Sequence, residues 1–281
     1  LVGSEMCIRD RIRGYLIGQK VNLANIKLEG IDLSGLDLRE VNFKGAILKG
    51  INLAGTNLSN SDFEGADLEG ANLSNTLIRS ANFDSVNLTN ATLDRATIED
   101  VRFNRSIWNN VDFKNLGFTD NLNIFSDADL RGALFSGANL NDKNLTGAIL
   151  IGVDFTETLS IERVNFNVTN LENANFENTN LNDSEFWGAN LRNASFENAD
   201  LRNTSFYRTE LLNVNFKGTN LTGARIYYGP IDGSNFTGAL TRNLELHHFF
   251  EPPKNVIGLG ETLDLNARLT RLEELLQEAE V

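Results

Sequence analysis

Residues able to do chemistry are few in this chain, and their spacing does not suit it. His247 and His248 are adjacent, and Glu251 lies three residues after His248. Zinc sites space their ligands differently, so these residues are read as packing at a domain end. The one cysteine, Cys7, excludes an intramolecular disulfide framework, and no Cys–His pair is present. A G-x-S-x-G elbow and the glycine patterns of dinucleotide and P-loop sites are missing. Asp and Glu total 38. They recur along the chain on what must be an open surface, where raised pKa values and enclosed substrates are not expected. Asn104-Arg105-Ser106 and Asn193-Ala194-Ser195 match a glycosylation pattern, but they follow from a sequence rich in Asn, Ser and Thr. The expectation is a protein without catalytic residues, metal or cofactor.

The elements that would position these residues follow a period of five. Phe43, Phe63, Phe83 and Phe103 stand twenty residues apart, with Leu48, Leu53 and Leu58 filling the first interval at every fifth place. Helices repeat at 3.6 and strands at 2, so neither explains a period of five. Four five-residue sides closing one turn do explain it, with each turn stacked on the last. Phe43, Phe63, Phe83 and Phe103 then form one internal column. This is an all-β solenoid of roughly ten to eleven coils, about 50 Å long at the inter-strand spacing.

The repeat spans 21–240. Two residues before each large apolar centre sits a smaller one, such as Ala46, Ala66 or Ala71, which also points inward. Gly or Asn is frequent two after the centre, where corners need special backbone angles. The register breaks twice, near 119–124 and near 156–160. Insertions must bulge from a corner, so Thr119, Asp120, Asn121 and Asn123 form a candidate recognition loop. Lys143 falls on a small inward position and is expected to turn outward or to strain the coil. In the last block Phe166, Phe176, Phe186, Phe196, Phe206 and Phe216 alternate with leucines every five residues. Those phenylalanines should fill two opposite inner columns.

Ala66-Asp67-Leu68-Glu69-Gly70, Ala71-Asn72-Leu73-Ser74-Asn75 and Ala199-Asp200-Leu201-Arg202-Asn203 resemble the A-(D/N)-L-x-x unit of the pentapeptide repeat family. The resemblance implies a right-handed quadrilateral β-helix. It also implies a second role beside that of a structural or protein-interaction scaffold. Some family members resemble B-form DNA in size and charge and bind type II topoisomerases such as DNA gyrase, with dimers joined through C-terminal elements.

Outside the repeat, residues 1–20 form a non-repeat N-terminus, and Leu1–Arg11 resembles a translated sequencing adapter, so 1–11 is read as an artefact. Residues 241–261 are read as a linker. Residues 262–280 are read as a C-terminal α-helix capped at Thr262, with Leu265, Leu269, Leu272 and Leu276 on one face. That stripe is a candidate interface, either a cap on its own coil or a homodimer seam.

The net charge is −13, and residues 21–240 hold 28 acidic against 17 basic residues. Direct nucleic-acid binding is therefore not expected. Duplex DNA of about 50 Å carries roughly 30 phosphates, so this chain is at best a dilute mimic. No run of residues is long and apolar enough to span a bilayer, and the expected compartment is the cytoplasm. The leading expectation is a rigid acidic scaffold for an unidentified protein, with the topoisomerase-directed DNA mimic as the alternative.

Overall fold

The computed structural model of the chain describes residues 21–118, 125–247 and 254–259. It forms two compact units, Leu1–Ala138 with Lys143–Ile149, and Asn139–Asp142 with Leu150–Val281. In each, short extended steps alternate with two-residue turns every five residues.

Each turn closes locally. The N–H two residues before a centre donates to the carbonyl of the previous centre, as from Ala46 to Phe43 at 2.9 Å and from Ala66 to Phe63 at 2.8 Å. Where that slot holds Thr or Ser, the hydroxyl donates to the same carbonyl in places, as from Thr56 to Leu53 and from Thr76 to Leu73, both at 2.7 Å, and in others to a carbonyl of the preceding coil, as from Thr209 to Phe186 at 2.6 Å. The second turn residue takes a positive φ, between 51° and 60° at the non-glycine positions. L-residues avoid that region, which explains the Gly and Asn bias at this place.

Between turns of the coil the pairing is parallel. The Phe43 N–H donates to the Asp62 carbonyl at 2.7 Å, and the Asp62 N–H donates to the Val41 carbonyl at 3.0 Å. In the first unit partners stand twenty apart, as in Asn22 with Asn42 and Asn42 with Asp62. The run of pairs reaches a sheet of β1 (Leu77–Arg79), β2 (Thr97–Glu99) and β3 (Gly117–Phe118). Ile107 then pairs with Asp129 and Asp112 with Leu134, so two extra residues enter there. In the second unit Asn139 pairs with Ser160 and Asp154 with Asn175, which is one extra residue. The period of twenty then holds through β4 (Ser205–Tyr207), β5 (Arg225–Tyr227) and β6 (Glu245–His247).

The inside of each unit is filled by ring columns. Phe43–Phe63, Phe63–Phe83 and Phe83–Phe103 have centroid separations of 4.7, 4.7 and 5.3 Å. Phe103 also stacks on Phe125 at 5.9 Å, while Trp108 meets both Phe103 and Phe113. In the second unit Phe166, Phe186 and Phe206 stack at 5.1 and 5.0 Å. Phe155, Phe176, Phe196, Phe216 and Phe236 stack at 4.5 to 5.5 Å. The two columns meet edge to face near 6 Å, the geometry that ring quadrupoles favour.

Two expectations need correction. Lys143 does not turn outward: it is 6% exposed in its inward slot. A long aliphatic stem can fill apolar space while the ammonium finds a partner, and Lys143 is not left without one. The linker reading of 241–261 also fails at both ends. β6 pairs with β5, Leu244, Leu246 and Leu259 are buried, and Ile257 pairs with Asn235. Leu246 falls twenty after Ile226, so the inward column continues, while the Asn235–Ile257 step of twenty-two hides the next turn from a strict period. Among the described residues no helix is long and apolar enough to cross a membrane.

Candidate interaction surface

With the interior filled, function must use outward side chains. The Asn or Asp preceding each centre does two jobs. Its Oδ1 accepts the N–H two residues on, as in Glu64 to Asp62 at 3.0 Å and Ala54 to Asn52 at 3.1 Å. It also bonds to its counterpart twenty residues away, as in Asn82 Nδ2 to Asp62 Oδ1 and Asn87 Nδ2 to Asp67 Oδ1, both at 3.0 Å. These residues staple one turn of the coil to the next. Turn preference alone did not reveal the second role.

Charged side chains also pair from one turn of the coil to the next. In the first unit Lys44 meets Glu64 at 2.7 Å, Lys49 meets Glu69 at 2.7 Å and Asp67 at 3.3 Å, and Arg79 meets Glu99 at 2.7 Å. In the second, Arg163 meets Asp142 at 2.6 Å, Arg192 meets Glu210 at 2.5 Å and Lys217 meets Glu197 at 2.8 Å. Hydrogen bonding to Lys44 holds the Glu64 carboxyl below the usual range, and Lys217 does the same to Glu197. Burial pushes the Asp129 carboxyl up, but hydrogen bonds from the Arg131 guanidinium and backbone outweigh it and leave the group low. Exposed pairs of this kind add little stability, yet they fix the sign pattern of each face.

A polar slot of about 310 Å³ lies in the first unit, lined by Asn90, Thr92, Asp94, Asn110, Asp112 and Asn115 among others. Its amides are already engaged, with Asn115 Nδ2 on Asp94 Oδ1 at 2.7 Å and Asn110 Nδ2 on Asn90 Oδ1 at 3.0 Å. The described residues hold no group of three or more His, Cys, Asp and Glu able to bind a metal. Of the candidate sites read from sequence, the loop Thr119, Asp120, Asn121 and Asn123 and the stripe Leu265, Leu269, Leu272 and Leu276 lie outside the described residues. His248 and Glu251 do too.

One outward face of the second unit differs from these ladders. Tyr207 pairs with Tyr227, and Tyr227 with His247, one residue past the centres of β4, β5 and β6. Trp187 continues the column, since the Gly188 N–H donates to the Tyr207 carbonyl at 2.9 Å. Beside it Tyr228 meets Tyr207 edge to face at 5.2 Å, and the Arg208 guanidinium lies 5.5 Å from the Tyr207 ring centroid. Tyr227 and His247 rings are 5.4 Å apart. The Tyr227 hydroxyl donates to the Glu245 carboxylate. Burial first, then that carboxylate, push the hydroxyl up to about 12. Sequence reading missed this column, although its signal is the same twenty-residue spacing that marks the inner phenylalanines.

Comparison with known proteins places these features. A family model described as pentapeptide repeats matches residues 19–55, 37–75, 71–110 and 124–159. A second, described as a pentapeptide repeat region, matches 159–236. No curated protein matches the chain. Among solved structures, HetL, a pentapeptide repeat protein involved in heterocyst differentiation regulation from the cyanobacterium Nostoc sp. strain PCC 7120, is 22% identical. That match covers 84% of this chain and 92% of HetL, with a TM-score of 0.27. Trypsin-treated QnrB1, a plasmid-mediated fluoroquinolone resistance protein, is 17% identical over 88% of this chain and 97% of its own, with a TM-score of 0.28. A pentapeptide repeat protein of the Arabidopsis thaliana thylakoid lumen is 36% identical over 34% of this chain and 71% of its own, with a TM-score of 0.21. The two family models together match well over half of this chain, and it belongs to the pentapeptide repeat family.

Proposed function

We propose that this protein is a non-catalytic interaction scaffold that offers rigid outward faces to another protein. The observation that carries this reading is the division of labour between inside and outside. Stacked rings and leucines occupy the interior, while the acids and bases pair with one another along open faces. Catalysis draws on enclosed groups with strongly shifted pKa values, and the described carboxylates are not placed that way.

The alternative is a duplex-like decoy for a type II topoisomerase such as DNA gyrase. It calls for an unbroken negative stripe, because duplex DNA presents a charge about every 1.7 Å. In this chain a Lys or Arg interrupts the outward columns, as Lys44 does beside Glu64 and Lys217 beside Glu197. The sign pattern therefore supports the scaffold over the decoy.

A supercoiling assay separates the two. The full chain is titrated into gyrase with and without a fluoroquinolone. The scaffold reading expects neither inhibition nor drug protection, and either effect at low micromolar protein would replace it with the decoy. In a second arm, partners are captured with the full chain and with the variant carrying Glu177→Lys and Glu197→Lys. A scaffold should alter its capture at an unchanged melting temperature. Capture that ignores outward substitutions on every face would reject the reading.

A further inference from the structure

The aromatic face of the second unit carries a knob, a hollow and opposite charges at matched distances from its middle turn. Glu185, Ser205 and Arg225 stand one above another, and Trp187, Tyr207 and Tyr227 form the next column. The corner positions beside them hold Gly188, Arg208 and Tyr228. Trp187 is 45% exposed and Val168 is 51% exposed, and the Val168 N–H donates to the Trp187 carbonyl at 2.7 Å, so they are neighbours. Large apolar side chains grouped in this way mark contact surfaces. Gly188 leaves the hollow: a Cβ there would stand 3.9 Å from Val168 Cγ2 and meet nothing nearer. Val168 and Tyr228 hold φ values of 59° and 58° at corners where most units use Gly or Asn. A β-branched or bulky residue there is a genuine outlier, kept only where its side chain is needed.

We propose that this face binds the same face of a second copy of the chain, the two coils antiparallel about a twofold axis at the turn holding Ser205 and Tyr207. In such a contact whatever one copy offers, the other returns. The turn of Glu185, Trp187 and Gly188 lies one step before the axis, and the turn of Arg225, Tyr227 and Tyr228 one step after it, about 4.8 Å each way. These two turns therefore face each other twice. Glu185 meets the partner's Arg225, and Trp187 meets the partner's Tyr227. The partner's Tyr228 enters the hollow at Gly188, between Val168 and Trp187. One contact thus uses both strained corners, Tyr228 as the knob and Val168 as the wall of the hollow. Charge agrees. The whole chain carries −13, but this face sets Glu185 and Glu245 against Arg208 and Arg225, so it lacks the excess of acid that drives copies apart. Arg225 lies 3.7 Å from its own Glu245 with its side chain 62% exposed, and a guanidinium has donors for a second carboxylate. The two Arg208 residues come together near the axis, each with its guanidinium 5.5 Å from the centroid of its own Tyr207 ring. Their repulsion weakens the contact, and so does its extent. Four steps by three residues is about 19 by 10 Å, small beside the roughly 800 Å² per partner of a standard interface, so a Kd of about 0.1 mM is expected. The other faces stay open to another protein, so this inference does not depend on the scaffold reading.

Sedimentation equilibrium of the purified full chain, from about 10 μM to about 1 mM, follows the association. The expected result is a passage from monomer to dimer with a blue shift in Trp187 emission; the other tryptophan, Trp108, is fully buried. Glu185→Arg and Arg225→Glu should each weaken association by at least tenfold, because each sets like charges opposite one another. An equimolar mixture of these two variants should regain it, because each copy then supplies the sign its partner has lost, which no rearrangement within one chain can do. Tyr228→Asn, which removes the knob, and Gly188→Asn, which fills the hollow, should abolish association. Neither should melt below the wild-type monomer, since Asn holds many such corners in this chain. A chain that stays monomeric at the highest concentration would overturn the proposal. So would a dimer indifferent to these substitutions, or a mixture of the two charge variants that associates no better than either alone.

Discussion

Replacing Phe186 tests the ring columns where their load is greatest. Phe186 is fully buried and stacks between Phe166 at 5.1 Å and Phe206 at 5.0 Å. Phe176 and Phe196 meet its ring edge to face at 6.3 and 5.9 Å. Phe186→Ala removes the ring and leaves a cavity, because rungs above and below fix the spacing and prevent collapse. Such truncations cost about 3–5 kcal/mol. Phe186→Leu keeps most of the volume and matches the residue used in the neighbouring columns. It forfeits mainly the aromatic pair terms, about 0.5–1.5 kcal/mol for each well-placed pair, partly offset by new aliphatic packing. A cost near 1–2 kcal/mol is therefore expected for leucine. Urea unfolding followed by far-ultraviolet circular dichroism measures both. A double-mutant cycle adds the geometry: Phe186→Leu should couple with Phe206→Leu, which stacks on it at 5.0 Å, and not with Phe236→Leu, which stands in the other column and touches neither ring. If alanine cost no more than leucine, or if Phe186→Leu and Phe206→Leu were simply additive, the stacked-column account would be refuted.

Two further substitutions probe single bonds. Ser106→Ala should cost about 1–3 kcal/mol, because Trp108 Nε1 donates to Ser106 Oγ at 2.7 Å and both residues are fully buried, leaving an orphaned donor; an unchanged urea midpoint would contradict this. Spectrophotometric titration of the tyrosines should show one group ionising near 12, absent in Tyr227→Phe. Its folded value lies above the unfolded 10, so the native state keeps a proton that the unfolded chain gives up. The stability it contributes is complete below pH 10 and is lost as pH rises towards 12. A melting temperature with the same alkaline dependence in both proteins would show that the fold does not hold the Tyr227 hydroxyl protonated.

Inner positions were legible in the sequence because each is restricted to a few apolar residues. Phe43 and Phe63 stand out against any background, and their spacing alone dictates the coil. Outward positions are legible only when read down a column. Trp187, Tyr207, Tyr227 and His247 lie among unrelated neighbours along the chain, so their kinship shows only once turns are stacked. The dual role of Asp62, accepting from Glu64 locally and from Asn82 across turns, is hidden for the same reason. The end of the repeat was misplaced because Asn235 pairs with Ile257 at a step of twenty-two, which no strict period would find. Of the two outcomes expected at Lys143, the outward turn does not occur, because the coil decides direction and the stem adapts.

In a solenoid whose corners accept Gly and Asn everywhere, a departure from them is more informative than any conserved-looking repeat within the chain. Most non-glycine residues at positive φ here are Asn, Asp, Ser or charged side chains that lose nothing by pointing into water. Val168 and Tyr228 are the apolar departures, and both border Trp187 or Tyr207 on one face. An exposed valine at a left-handed corner costs about 1–2 kcal/mol. Asn in its place would relieve that cost without losing buried area in the uncovered coil. A cost that substitution could remove so simply, set beside a face where, among the described residues, the polar ladders give way to aromatic rings, is best explained by contact with an apolar surface.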